Sequence, residues 1–367
     1  MKSIRIYCKN DGRYHDVPKG ATLEEVYETL DLNLPCCVTS CKVNNRVEGL
    51  HYTINDSRDL EYLTLASPSG LRTYTRSLFF VLYKAVRDLY PEAELRIGTP
   101  VAGGYFCRLA LPGGITPEVP ERLRRRMAEI VASDLPFRRV TAHTTDAIEV
   151  FRRQGFTRKV LLLESIGDLY THYYTLGDTV DYFYSALLLR TGQLTVFDLV
   201  PFGEGLLLRV PDSEQPERLR PMTDQHKMFS VFQEQHRRQE ILGCTTVGEL
   251  NTLIRDGRTN DLVNVAEALQ EKQIAQIADH IASHDALRVV LIAGPSSSGK
   301  TTFSKRLSVQ LMACGKKPVS ISLDNYFVDR TLTPLDETGD YDFEHIEALN
   351  LPLFNDQMNR LLVGEEV

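Results

Sequence analysis

Apolar residues alternate with polar ones from the start of the chain: Ile4, Ile6 and Cys8 mark a half-buried strand over Ser3–Cys8. Asp11 and Gly12 supply a turn, and residues 14–17 return as the hairpin partner. Thr22 then precedes Leu23, Val26, Tyr27 and Leu30 at helical spacing, and Glu25 completes a capping box. Val38–Val43, Val47 and residues 60–65 predict further short strands. Ser67, Pro68, Ser69 and Gly70 form a turn-rich junction.

Beyond that junction the period lengthens. Leu78, Val81, Leu82, Ala85, Val86 and Leu89 predict a helix over 76–89 that Pro91 stops. Strands are expected at 95–101 and 105–111 around Gly103 and Gly104. A basic amphipathic helix over 120–133, a strand at 138–141 and a helix over 146–154 ending at Gly155 come next. Residues 160–210 read as short strands and turns. Residues 222–284 read as polar helix, with a linking helix over 267–281. The last block opens on a strand at 288–293. A helix follows through Phe303, Leu307 and Leu311, then a second strand at 319–323 and a helix over 350–362.

Four segments follow: 1–67, 68–221, a helical linker at 222–285, and 286–367. A length of 367 residues fits several domains. With 43% hydrophobic and 25% charged residues the composition is that of an ordinary globular protein. The net charge of −7 argues against a protein whose main task is coating nucleic acid. No apolar run reaches membrane-span length and no signal peptide opens the chain, so the expectation is a cytoplasmic protein without membrane partners. The seven cysteines show no metal-ligand spacing: Cys36, Cys37 and Cys41 cluster without an answering pair, and His51 is a poor fourth ligand.

Chemistry concentrates in one motif. Gly294, Pro295, Ser296, Ser297, Ser298, Gly299, Lys300 and Thr301 fill every defined position of G-x-x-x-x-G-K-[ST], with Thr302 following. An apolar strand precedes the motif and a helix follows it. Glycines let successive backbone N–H groups turn toward a phosphate, and the helix N-terminus adds positive potential. Lys300 reaches the phosphate oxygens and Thr301 coordinates Mg²⁺. The second strand delivers Asp324, a carboxylate suited to accept a proton from a hydroxyl or to hold Mg²⁺; the plainer role is a strand-end cap.

The order of strand, loop and helix, then Ser322–Phe327 and Asp342, Phe343, Glu344 and His345, resembles the uridine kinase/phosphoribulokinase family over about 80 residues. The resemblance implies a P-loop α/β sandwich with ATP (or GTP) and Mg²⁺. It also implies transfer of the γ-phosphate to the 5′-hydroxyl of a nucleoside, uridine or cytidine. Lys300 and Asp324 would be catalytic, Thr301 and Asp324 would hold metal, and Phe343 and Glu344 would line the nucleoside site. The family has Asp where Glu344 stands. Tyr326 and Phe327 either face the base or pack in the core. Only the N-terminal half of such a domain is expected here, its lid arginines lying past residue 367.

Residues 1 to about 66 resemble a TGS domain, the ubiquitin-like module of threonyl-tRNA synthetases, with residues 43–46 at its turn. Residues from about 72 to 210 resemble the α+β editing-type domain of threonyl-tRNA synthetase. The resemblance rests on 85–91, Arg96–Gly98, Gly103–Phe106 and 146–160. That domain uses two histidines on its first helix, a cysteine and a later histidine. Their places here hold Arg76, Phe80, Phe183 and Leu187, which can neither bind metal as a set nor move a proton. Arg122, Arg124, Arg125, Arg126, Arg138, Arg139, Arg152 and Arg153 make a locally basic surface, either a solvated helix face or an RNA contact. The leading expectation is a nucleoside kinase regulated or oligomerised by this N-terminal half. The alternative is a nucleotide-binding, RNA-interacting regulatory protein built from synthetase accessory domains, without catalysis.

Overall fold

The computed structural model describes residues 2–367, which divide into two compact units, 1–257 and 258–367. The first unit opens with β1 (Ser3–Cys8), β2 (Arg13–Pro18), α1 (Leu23–Thr29), β3 (Val38–Val43), β4 (Arg46–Glu48) and β5 (Asp59–Thr64). The strands form a sheet in the order β2-β1-β5-β3-β4, with β1 and β5 parallel and the other pairs antiparallel. The capping box is realised: Glu25 N donates to Thr22 Oγ1 at 3.2 Å and Thr22 N to Glu25 Oε2 at 2.8 Å. Asn44 closes the β3–β4 hairpin at φ +56°, a left-handed conformation that asparagine tolerates well. Leu23, Val26, Ile6, Cys41 and Leu60 fill the core beneath α1.

Next comes α2 (Pro68–Leu89), about two turns longer toward its N-terminus than the apolar period alone predicts. Ser67 caps it by accepting from Gly70 N at 3.1 Å, and Pro68 occupies the first turn, where it costs no hydrogen bond. A Cβ at position 70 would lie 2.0 Å from the Thr64 carbonyl oxygen, so only glycine lets the helix start this close to β5. Around α2 lie β6 (Glu94–Val101), β7 (Gly104–Ala110), α3 (Glu118–Ala132), β8 (Arg138–His143), α4 (Thr144–Arg153) and α5 (Thr157–Ile166). They are followed by β9 (Tyr170–Leu176), β10 (Thr179–Asp181), β11 (Asp198–Phe202) and β12 (Gly205–Arg209). Two antiparallel sheets result, β11-β12-β7-β6 and β10-β9-β8. Leu78, Phe80, Val81, Leu82, Ala85 and Val86 of α2 are buried among Leu123, Met127, Leu187, Leu206 and Leu208. The strand-and-turn expectation for 160–210 is wrong at its start. Leu161, Leu162 and Leu163 look strand-like, but they belong to α5, which packs on α4 and on α7 (Val247–Arg255). α6 (His226–Ile241) precedes α7.

The second unit contains α8 (Thr259–Ala282), α9 (Lys300–Ala313) and α10 (Leu351–Val363), joined by turns. Ile274 and Ala278 of α8 pack with Leu307 and Leu311 of α9. The strands expected at 288–293 and 319–323 are not formed: no ladder joins these segments to any strand among the described residues. Leu291 is 84% and Val319 78% exposed. An apolar run becomes a strand only when neighbours take up its backbone N–H and C=O groups, and sequence pattern does not carry that information. No helix among the described residues is long and apolar enough to cross a membrane.

Candidate functional site

The four positions expected to be chemically empty come together in the first unit. The Phe80 and Phe183 rings lie 5.4 Å apart, Phe137 is 6.0 Å from Phe80, and Leu187 is fully buried beside them. Arg76 Nε and Nη2 donate to the Ala186 carbonyl at 3.3 and 3.2 Å, and Leu188 N donates to Ser77 Oγ at 2.9 Å. The loop 182–188 is therefore stitched to α2 by backbone contacts and packed aromatics. None of the four side chains Arg76, Phe80, Phe183 and Leu187 can act as a hydrolytic base or metal ligand.

Beside this cluster opens a cavity of about 1320 Å³ between α2, β6, α5, α6 and α7. Its wall carries six cations (Arg87, Arg96, Arg108, Arg153, Arg158, Lys159) against three carboxylates (Glu92, Glu94, Asp181), a net positive formal charge among the lining residues. Phe79, Tyr83, Phe156, Phe229 and Phe232 supply aromatic surface. Lys159 ion-pairs with Asp181, and its Nζ sits 4.6 Å from the Phe156 ring centroid and 5.6 Å from that of Tyr83. Burial pushes this ammonium down to about 7, and the Asp181 carboxylate in contact opposes that push. Glu94 pairs with Arg96 at 3.0 Å and with Arg158, and Arg158 also meets Glu249 at 3.3 Å. Arg87 donates only to the carbonyls of Pro91 and Gln154, and Arg153 has no ion pair among the described residues. These two guanidiniums keep free charge for an anion. No sequence motif marks this cavity, because its wall draws on α2, β6, β7, α4, α5, β10, α6 and α7.

The basic helix does not offer the free charge its sequence suggests. Arg124 pairs with Glu121 at 2.9 Å, Arg126 with Asp88 and Glu129 at 2.8 Å each, and Arg122 lies over the Tyr90 ring at 5.3 Å. Arg152 is held by Glu149 and Glu164, and Arg139 stands 3.9 Å from Glu48. Intramolecular pairs satisfy most of this surface. His143 caps no helix with its ring; it stacks on Tyr170 at 4.6 Å.

His51 carries a pH prediction. Its Nε2 is buried without a partner, and burial, then the nearby Arg139 charge, hold its pKa below the ordinary 6.5. The unfolded chain thus binds a proton at His51 more readily than the folded one, so stability falls as pH drops below 6.5 and is flat with respect to this group above it. His51→Leu is expected to flatten that acid slope. Urea midpoints for both proteins on either side of pH 6.5 check it; equal slopes contradict it.

In the second unit, residues 294–301 form a loop that runs into α9. Ser297 and Gly299 lie at φ +59° and +86°, so the backbone curls as it enters α9. Ser298 N donates to the Pro295 carbonyl at 3.2 Å and Phe303 N to the Gly299 carbonyl at 2.9 Å. Lys300 Nζ folds back onto the carbonyls of Gly294 and Pro295 at 2.9 and 3.0 Å, placing its charge over the concavity. Thr301 and Thr302 are exposed on the first turn. The other expected residues are not drawn to the loop by any contact among the described residues. Asp324 sits in a 3₁₀ turn, its N–H and Oδ2 both on Ser322 Oγ at 3.3 and 3.2 Å. Phe343 lies 6.3 Å from Tyr341, Glu344 N donates to Asp342 Oδ1 at 3.0 Å, and Tyr326 is buried with its hydroxyl on Gln357 Oε1 at 2.7 Å. Phe327 is half-exposed.

No family model matches the chain. Among curated proteins it is 28% identical over 250 residues, 65% of its length, to the threonine–tRNA ligase of Desulforamulus reducens. It is 29% identical over 201 residues to the corresponding protein of Symbiobacterium thermophilum, and 30% identical over 199 residues to that of Rubrobacter xylanophilus, 54% of the chain in both cases. The chain spans 39%, 31% and 30% of these three relatives. The similarity supports a TGS- and editing-like N-terminal region within a mixed α/β multidomain protein. It overturns the expectation of a uridine-kinase-type phosphotransferase: the relatives are consistently named threonine–tRNA ligase, which points to a synthetase-related protein. The parallel sheet that a P-loop sandwich requires is not formed either.

Proposed function

We propose that this chain is a nucleotide-binding, RNA-contacting regulatory protein built from synthetase accessory domains, without catalysis of its own. The observation that carries the reading is the cavity beside α2, where Arg87 and Arg153 keep charge uncommitted to carboxylates next to Phe79, Tyr83 and Phe156. Guanidiniums take phosphates and aromatic faces take unstacked bases, which is how proteins grip single-stranded RNA. The relatives' name, threonine–tRNA ligase, makes tRNA the first RNA to try. Phe80, Phe183 and Leu187 stand where the resembling editing domain has proton-moving and metal-binding groups, so the aminoacyl ester of a bound tRNA would not be hydrolysed.

The same proposal assigns the loop of Gly294, Pro295, Ser296, Ser297, Ser298, Gly299, Lys300, Thr301 and Thr302 to the phosphates of ATP. Lys300 serves as a phosphate ligand and Thr301 as the Mg²⁺ partner. A filter-binding titration with unfractionated tRNA at fixed low salt, run with and without ATP–Mg²⁺, tests the reading. Saturable tRNA retention is expected, with no release of amino acid from aminoacylated tRNA. Absence of retention, or hydrolysis that the pure protein sustains, would defeat it.

A further inference from the structure

The roof of the α2 cavity is held unlike its floor. α2 buries twelve of its residues, whereas α6 buries none and α7 buries only Gly248. α6 is latched at four points. Gln225 Oε1 accepts from Ala102 N at 2.8 Å, and the Phe229 ring lies 4.8 Å from Phe106 and 5.0 Å from Phe202. Arg108 reaches Gln233 Oε1 at 2.6 Å and Glu240 at 3.3 Å. Only one of these latches is apolar. α7 rests on α5 through Gly248, where a Cβ would come within 2.8 Å of Leu162 N, and through Asn251 Nδ2 on Ser165 Oγ at 2.8 Å. Between the two helices Gly243 turns the chain at φ +61° with open space around it. A segment with one apolar latch, polar tethers and a glycine joint belongs to the low-stability end of a fold.

We propose that α6 is a lid over the cavity, hinged at Gly243, that opens to admit a ligand and closes on it. Opening breaks the Ala102–Gln225 hydrogen bond, the Phe229 packing and the two Arg108 contacts. This frees the Arg108 guanidinium on the cavity wall as the lid lifts, so an incoming anion meets an extra cation and replaces Glu240 as its partner. The ligand class rests on the RNA reading above, but the lid does not.

Hydrogen exchange on the whole chain separates the two. Without ligand, α6 amides are expected to exchange at least tenfold faster than those of α2, and Phe229→Ala to accelerate α6 further while α2 stays unchanged. With a short single-stranded RNA oligonucleotide at saturation, measured by anisotropy on the same sample, α6 exchange is expected to slow. Exchange in ligand-free α6 as slow as in α2 overturns the lid whether or not RNA binds. Measured RNA binding with α6 exchange unaltered overturns it as well. Absence of oligonucleotide binding, with fast ligand-free exchange that Phe229→Ala accelerates, upholds the lid and removes the RNA reading alone.

Discussion

Phe80→Ala is expected to destabilise the first unit by about 3–5 kcal/mol, the cost of emptying a fully buried aromatic position. Phe80 packs its ring between Phe137 and Phe183 at the centre of the largest core cluster. Residues contributed by α2, the segment before β8 and the loop after β10 close around it, so the surroundings cannot collapse into the vacated space without moving three elements. Urea unfolding followed by near-ultraviolet circular dichroism measures the loss. A change under about 1 kcal/mol would mean that the aromatic cluster is not the fold's keystone. The side chains that make the pocket unfit for hydrolysis are, on this account, the ones that stabilise the domain.

Lys300→Ala is expected to weaken ATP–Mg²⁺ binding by about 10- to 100-fold, since a hydrogen bond to a charged group contributes about 1.5–3 kcal/mol and each 1.4 kcal/mol is tenfold. The ammonium already hovers over the loop carbonyls of Gly294 and Pro295, so a phosphate entering the concavity meets it without rearrangement of the backbone. Lys300→Arg should not restore full affinity, because the compact ammonium fits the loop where a planar guanidinium does not. Isothermal titration with ATP–Mg²⁺ reads both variants. Unchanged affinity in Lys300→Ala would place the nucleotide elsewhere or nowhere on this chain.

Legibility in the sequence follows the range of the interactions. The hairpin of β1 and β2 and the Thr22–Glu25 capping box depend on near neighbours and appear as the pattern predicts, and the turn at Asn44 falls where the TGS resemblance implies it. The curl at 294–301 is likewise local, set by Ser297, Gly299 and the helix that follows. What failed depends on distant partners. The runs at 288–293 and 319–323 have strand composition but no neighbouring strand to pair with. Arg126 looks free until α3 is set against Asp88, 38 residues away, and Glu129. The cavity is invisible to any motif because Arg87, Arg153 and Lys159 meet only when α2, α4 and α5 are assembled. Phe80, Phe183 and Leu187, which the resemblance sets at the editing-type positions, pack together in the fold.

The salt dependence of tRNA affinity tests the RNA reading most directly. Each guanidinium engaged with a phosphate contributes about one unit to the slope of log affinity against log salt. Arg87→Gln with Arg153→Gln is expected to weaken binding and lower that slope by about two, while Arg124→Gln with Arg126→Gln, whose guanidiniums are already paired to carboxylates, leaves it unchanged. An unaltered slope in the Arg87 and Arg153 variant, or a reduced one in the Arg124 and Arg126 variant, would contradict it.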